Sequence, residues 1–350
     1  MGNMENKLTV AVTGASGYIA SWVVKKLLDH GHVVHGTVRD TENEDKVGHL
    51  KKQGVSHDGR LRLFKADLLE GGFEEAFEGC DVVVHMASPF LIGKVSDPEN
   101  QLLRPALEGT ERVLNAVNAS ASVKHVVLTS SVVSIFNDAI EAAELPDNTF
   151  TAEHWNQTSS LDYQPYNYSK MMAEKKAWEL CENQDRWKMT VVNPAFVLGP
   201  SLSKRSDGAS IDFMSQMLRG DFKMGAPLLY YGIVDVRDVA ETHVHAIERE
   251  HPSGRYISVN EVQSLLEMAN TIQSVTENVE YPLPTKKLPT FLLYIFGPLR
   301  GFSWNFIKKN VGHKIQFDNA PARNKLGVRF RSIEETYRDM VLQMDRDNII

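Results

Sequence analysis

The chain has 350 residues, 38 Lys and Arg against 45 Asp and Glu, and a net charge of −7. With a pI near 6.0 and no long basic run, it lacks the footprint of a nucleic-acid partner. Hydrophobic and charged fractions of 42% and 24% describe an ordinary soluble globular protein, long enough for one large core or two unequal lobes.

The first residues, MGNMENK, carry no apolar signal core, and Glu5 and Asn6 fit a myristoylation acceptor at Gly2 poorly. A buried strand is predicted at 8–13. It runs into TGASGYIA, 13–20, and then into a helix over 19–29. Gly14 and Gly17 allow a tight strand-to-helix turn in which backbone amides approach a pyrophosphate. The helix N-terminus adds unpaired N–H groups and a positive dipole end. Ala20 takes the third small position, where helix packs closely on strand. In this context the pattern marks a dinucleotide site.

Further strands are predicted at 33–38, 61–65, 82–85, 126–129 and 190–193. Helical patterns at 42–52, 101–118 and 168–182 fall between them. Such alternation predicts a parallel α/β sheet covered by helices on both faces. The second strand ends in GTVRD. An enzyme using the unphosphorylated cofactor places an acid there for the ribose hydroxyls; Arg39 suits a 2′-phosphate, and Lys46 can add a second charge. Cys80 and Cys181 give no disulfide framework, and His243 and His245 have no acid or thiol at metal-ligand spacing. No metal is expected. Two buried or half-buried thiols fit a reducing, cytoplasmic compartment.

Thr129, Ser130 and Ser131 end a strand, at the rim where open α/β sheets bind ligands. Tyr166 and Lys170, four apart in PYNYSKMMAEKKAWEL, share a helix face. Singly these are bland features. Their order after a glycine fingerprint gives them weight together.

Regularity fails after Gly199. A polar loop at 200–210 precedes a helix at 211–219, a strand at 232–235 and a helix at 239–248. After Asn260 helices dominate, broken at Pro282, Pro284, Pro289 and Pro298. The apolar stretch LPTFLLYIFGPLRGF is far short of the ~20 residues that span a bilayer. It is expected to pack on the core or to wall a substrate pocket, and no membrane partner is expected.

These segments, with KADLLE, VVVHMASPF, VVLTSS, NPAFVLGP, VDVRDVAETH and GRYISV, resemble extended short-chain dehydrogenase/reductases over nearly the whole chain. The resemblance is closest to the dihydroflavonol reductase, cinnamoyl-CoA reductase and yeast carbonyl (methylglyoxal) reductase group. It implies a Rossmann doubly wound sheet over 7–198 and 232–260. A smaller, mostly helical substrate lobe would take 199–231 and 261–340. It implies NADP(H) held by Gly14, Ser16, Gly17, Tyr18 and Ile19, with Arg39 and Lys46 on the phosphate and Asp67 and Leu68 at adenine. Met86, Ala87 and Ser88 would lie beneath the cofactor, beside Thr129, Tyr166 and Lys170. Pro194, Ala195 and Val197 would flank the nicotinamide. Ser131, selected over Ser130 by the family's spacing, would orient the carbonyl, Tyr166 would donate the proton, and Lys170 would lower the phenol pKa from its usual value near ~10 and hold the nicotinamide ribose. Phe136 stands where flavonoid-reducing relatives tend to carry asparagine.

The reaction so implied is NADPH-dependent reduction of a small-molecule ketone or aldehyde by a monomer or homodimer. Two alternatives are a nucleotide-sugar epimerase or dehydratase that recycles NAD, and a non-catalytic NADPH sensor. Arg39 speaks against the first, and retention of Tyr166 and Lys170 against the second.

Overall fold

The computed structural model describes residues 7–88, 95–204, 208–249, 253–276 and 279–350. Residues 89–90 of VVVHMASPF, 205–207 of the polar loop, 277–278 of the expected lobe and the first six residues lie outside the described ones.

The chain alternates β1 (Thr9–Val12), α1 (Tyr18–Asp29), β2 (Val33–Val38), α2 (Glu44–Ser56), β3 (Leu61–Lys65), α3 (Glu74–Phe77), β4 (Val82–His85), α4 (Arg104–Ala119) and β5 (His125–Thr129). After the short β6 (Thr149–Phe150) come α5 (Pro165–Glu182) and β7 (Lys188–Pro194). Then follow β8 (Phe196–Leu198), α6 (Ala209–Arg219), β9 (Tyr230–Asp235), α7 (Val236–Glu248) and β10 (Gly254–Ser258). The last stretch carries β11 (Glu261–Ser264), α8 (Leu265–Val275), α9 (Thr290–Phe296), α10 (Trp304–Asn310), β12 (Gln316–Phe317) and α11 (Ile333–Arg346).

A seven-stranded parallel sheet has the order β10-β7-β5-β4-β1-β2-β3. The chain leaves β1 in opposite directions, toward β2 on one side and β4 on the other. That reversal opens a crevice at the carboxyl ends of β1 and β4. Val10, Ala11, Val12 and Val82 to Val84 are buried because helices cover both faces. On one face Val23, Val24 and Leu27 meet Ala240, Val244 and Ile247. On the other, Phe73 and Phe77 pack with Val113, Leu114 and Ala177. This is the doubly wound α/β sheet read from the sequence.

A second sheet, β11-β9-β8, sets the strand predicted at 232–235 between two that the sequence patterns leave out. β11 lies antiparallel to β9, in a region where helices were expected to dominate. Its four residues end in Ser264, which caps α8 in a capping box with Glu267, so the helix signal masks the strand. β10 also escapes the periodicity because GRYIS is short and begins polar. A third core gathers Met214, Met217, Met268, Tyr337 and Met340 from α6, α8 and α11 with Leu229, just before β9.

Of the two places expected for the 288–302 stretch, packing on the core is overturned. The LPTFLLYIFGPLRGF stretch does not pack its apolar side chains on the core. Leu293 is buried, but Phe291, Tyr294, Ile295, Phe296 and Leu299 are exposed. α9 has only seven residues before Gly297 and Pro298, too short to turn a broad face inward. Among the described residues no helix is long and apolar enough to cross a membrane, and no three His, Cys, Asp or Glu group as metal ligands.

Candidate active site

The crevice floor is built first. Gly14 has φ +64°, a left-handed conformation, and a Cβ there would sit 3.1 Å from the Ala87 Cα. β1 and β4 are held at this spacing by Thr13. Its Oγ1 accepts the N–H groups of Met86 and Ala87, each at 3.0 Å, and donates to His85 Nδ1. Gly17 caps α1, whose first turn has neither a side-chain cap nor an acidic residue. A twelve-residue helix thus presents uncapped N–H groups at the crevice, the arrangement that receives a pyrophosphate. Ser16 and Ile19 are half-buried at this turn. The Tyr18 side chain points elsewhere: its hydroxyl donates to the Gly199 carbonyl at 2.5 Å, and burial with the nearby Asp235 charge raises its pKa. A cofactor contact at Tyr18 would therefore come from its backbone.

Arg39 and Lys46 are both exposed, at the end of β2 and in the first turn of α2. Asp40, the adjacent acid, accepts the Glu42 N–H at 2.9 Å and shapes the turn between them. The residues present therefore fit a 2′-phosphorylated dinucleotide: amides at one end, two exposed cations at the other. Asp67 accepts the Leu69 N–H at 2.7 Å. Leu68, Ala87, Ser88, Thr129 and Lys170 line one cleft with His85. Val197 is buried against Val234 and Val239, with Ile19 packed on them. Pro194 ends β7, and the Ala195 N–H bonds the Ser258 carbonyl at 3.3 Å.

α5 starts earlier than its periodicity predicts. Gln164 takes φ +58° and Pro165 occupies the first helical position, so Tyr166 lies in the first turn. Its residue surface is 39% exposed, yet protein packed around the phenol raises its pKa above the ordinary value. Lys170, one turn on, donates from Nζ to the Thr129 carbonyl at 3.4 Å. Burial pulls its pKa down to about 8, against the favourable charge of Glu174. Surrounding protein thus pushes the phenol up and the ammonium down. Ser131 Oγ accepts the Val133 N–H and caps the short turn against which α5 packs. Ser130 is buried and bonds Ser134, whereas Ser131 is half-buried.

A buried polar network escaped the sequence reading. Glu174 accepts Ser134 Oγ at 2.5 Å, Asn193 Nδ2 at 2.9 Å and Arg255 Nε at 2.6 Å. Asn193 Nδ2 also reaches the Ser131 carbonyl at 3.2 Å. The signal was present: Glu174 follows Lys170 by four, on the face that carries Tyr166. Nearby, Asn167 Nδ2 bonds Asn137 Oδ1 at 3.0 Å, and Tyr163 donates to the buried Asp138 at 2.6 Å. Phe136 stacks on Phe150 with centroids 4.8 Å apart and meets Phe317 edge-on.

The chain's residues 10–260 match the NAD dependent epimerase/dehydratase family. It is 37% identical over 340 residues to tetraketide alpha-pyrone reductase 1 of Arabidopsis thaliana, covering 96% of this chain and 94% of that one. It is 38% identical over 277 residues to cinnamoyl-CoA reductase CAD2 of Medicago truncatula, covering 78% and 82%. Yeast methylglyoxal/isovaleraldehyde reductase Gre2 complexed with NADPH superposes with a TM-score of 0.78 at 26% identity, covering 98% of this chain and 100% of that one.

Proposed function

The chain belongs to the NAD dependent epimerase/dehydratase family and is one of its oxidoreductases, and from that premise we propose that it reduces a ketone or aldehyde carbonyl with NADPH. The observation that carries this reading is the placing of Tyr166 and Lys170 in successive turns of α5, over the Ser131 turn and beside the crevice. The reductase names of the relatives, and the NADPH in the yeast structure, support it.

NADPH, when bound, supplies the hydride. Ser131 offers a hydroxyl to the carbonyl oxygen and fixes its position. Tyr166, kept protonated by its raised pKa, holds the proton that the nascent alkoxide takes. Lys170 carries a positive charge at neutral pH and stabilises the phenolate left behind. The first-turn position of Tyr166 adds the positive end of the α5 dipole to the same effect. Arg39 and Lys46 select the phosphorylated cofactor, and an NAD-recycling epimerase would want an acid where Arg39 stands.

In this reading 7–198 with 232–260 holds the cofactor, and 199–231 with 261–340 shapes the substrate site. The enzyme works as a monomer or homodimer in a reducing, cytoplasmic compartment. Phe136, packed between Phe150 and Phe317, offers no polar group to a flavonoid hydroxyl, which favours simpler carbonyls. The test is a panel of aldehydes, diketones, ketoesters and flavanonols followed at the reduced-nicotinamide absorbance. Turnover of a simple carbonyl with NADPH is expected. Tight cofactor binding with no oxidation across the panel would overturn the reading in favour of a sensor.

A further inference from the structure

From position 281 to 317 the sequence contains no Asp or Glu and six Lys or Arg, in a chain whose net charge is −7. This stretch carries α9, the turn Gly297–Arg300 and α10, which pack on one another. Leu293 and Ile307 are buried between them and the body. Phe291, Tyr294, Ile295, Phe296, Leu299 and Trp304 are not, and they make up six of the thirteen exposed large apolar side chains among the described residues. Leu299 is 84% exposed and Trp304 66%. Apolar side chains scattered singly need no explanation, but a contiguous group of this size marks an interaction surface. Trp304 Nε1 donates to the Tyr294 carbonyl at 2.9 Å and fixes α10 against α9. The group is thus a built surface. Lys286 and Lys287, just before α9, and Lys308 in its last companion turn are exposed at its flanks.

We propose that the α9–α10 face docks on the surface of an anionic lipid bilayer. Aromatic and leucine side chains framed by lysines, in a stretch of sequence without acids, complement a headgroup region that is apolar beneath and negative above, although Glu267 of α8 approaches Lys287 and Lys314. The contact is peripheral, since no helix among the described residues can span a bilayer. A second copy of the chain fits the charge poorly. A two-fold interface sets the same patch against itself and would bring both sets of lysines together without an acid between them. The face has a fixed place beside the candidate active site. Asn310 of α10 accepts the Ala139 N–H at 2.9 Å and donates to Asp138 at 2.8 Å, and Asp138 also receives the Tyr163 hydroxyl. The inference does not depend on the reductase reading.

The experiment is flotation of the full chain with vesicles of phosphatidylcholine alone and of equal parts phosphatidylcholine and phosphatidylglycerol. The protein is expected to float with the anionic vesicles and not with the neutral ones, and to be released by high salt. A lysine near such a surface contributes roughly fivefold in partitioning, so Lys286→Gln with Lys287→Gln should weaken it about twenty-fivefold. Leu299→Asp should weaken it at least about tenfold by putting a charge into the apolar contact. Both positions are exposed, so unfolding midpoints should stay at the wild-type value. No flotation with anionic vesicles overturns the proposal, as does equal flotation with neutral ones or undiminished binding by Leu299→Asp. A dimer that Leu299→Asp dissolves, with the vesicles left bare, would assign the face to a second copy and equally overturn it.

Discussion

Arg255 donates from Nε to Glu174 Oε1 at 2.6 Å, and neither side chain is more than 8% exposed. The pair joins the helix carrying Tyr166 and Lys170 to β10 at the sheet edge. Asn193 and Ser134 complete it, and Arg255 lies over the Trp155 ring at 3.9 Å. Removing one partner of a buried pair leaves the other charge stranded, which typically costs about 3–5 kcal/mol. Glu174→Gln should therefore lower the unfolding free energy by several kcal/mol. Glu174→Leu combined with Arg255→Met should lose less than Glu174→Gln alone. Urea titrations of the three proteins check this, and a loss under about 1 kcal/mol for Glu174→Gln would mean the pair is solvated.

Tyr166→Phe keeps the ring and removes the proton. Reduction should fall by about 10²–10⁴-fold, the usual contribution of general acid catalysis, while NADPH binding stays near wild type. Stopped-flow turnover beside a fluorescence titration separates the two. Near-normal reduction would remove Tyr166 from the chemistry.

Lys170 sets an alkaline limit. A free lysine titrates near ~10.4. Burial holds this one at about 8, so the ammonium is present below that pH and lost as pH rises through it. The kcat/KM for NADPH should fall on an alkaline limb near pH 8, and Lys170→Met should flatten the limb as well as reduce the rate. A limb unchanged in the variant would assign it to another group.

Arg39→Ala tests cofactor choice. A charge-assisted arginine–phosphate contact at a partly exposed site contributes about 1.5–3 kcal/mol, roughly ten- to a hundredfold in affinity. NADPH should bind that much more weakly to the variant, and NADH nearly as before. Added salt should weaken wild-type NADPH binding more than NADH binding. Equal loss for both cofactors in calorimetric titration would show that Arg39 does not read the phosphate.

Acid should unfold the protein through two histidines. His243 donates from Nδ1 to the Val239 carbonyl and takes the Thr129 hydroxyl at Nε2, both below 2.9 Å, so it is buried neutral. Burial lowers His85 to about 3 and His243 to about 4. Unfolded, both titrate near ~6.5, so between that pH and about 4 the unfolded chain binds more protons than the folded one. Stability must then fall as pH falls, by about 2 kcal/mol per histidine at pH ~5. Urea midpoints at neutral and mildly acid pH measure this; a flat profile would mean that one or both rings reach water.

The central sheet was legible because valine-rich runs such as 82–85 leave one choice when helices flank them on both sides. The glycine turn was legible because Gly14 takes a left-handed φ against Ala87 and Gly17 stands close to the Gly14 carbonyl. The Glu174 network was not, since its partner Arg255 lies 81 positions away and only the folded sheet brings them together. Short strands failed for a related reason: β8, β10 and β11 are defined by neighbours, not by their own periodicity. α9 misled because apolar composition was read as burial. A helix of seven residues supplies the hydrophobicity of a core helix without the length to bury it.

Tyr18 opens α1 with its backbone and grips the Gly199 carbonyl with its hydroxyl, while Trp22 one turn on donates to the Pro200 carbonyl at 2.8 Å. The segment these bonds hold is the one through which the chain leaves the central sheet. Cradle and hinge are therefore a single mechanical part. A substitution at Tyr18 or Trp22 should loosen that exit as well as the start of α1. Arg39 and Lys46, proposed to read the 2′-phosphate, lie at the end of β2 and in α2, away from these two bonds.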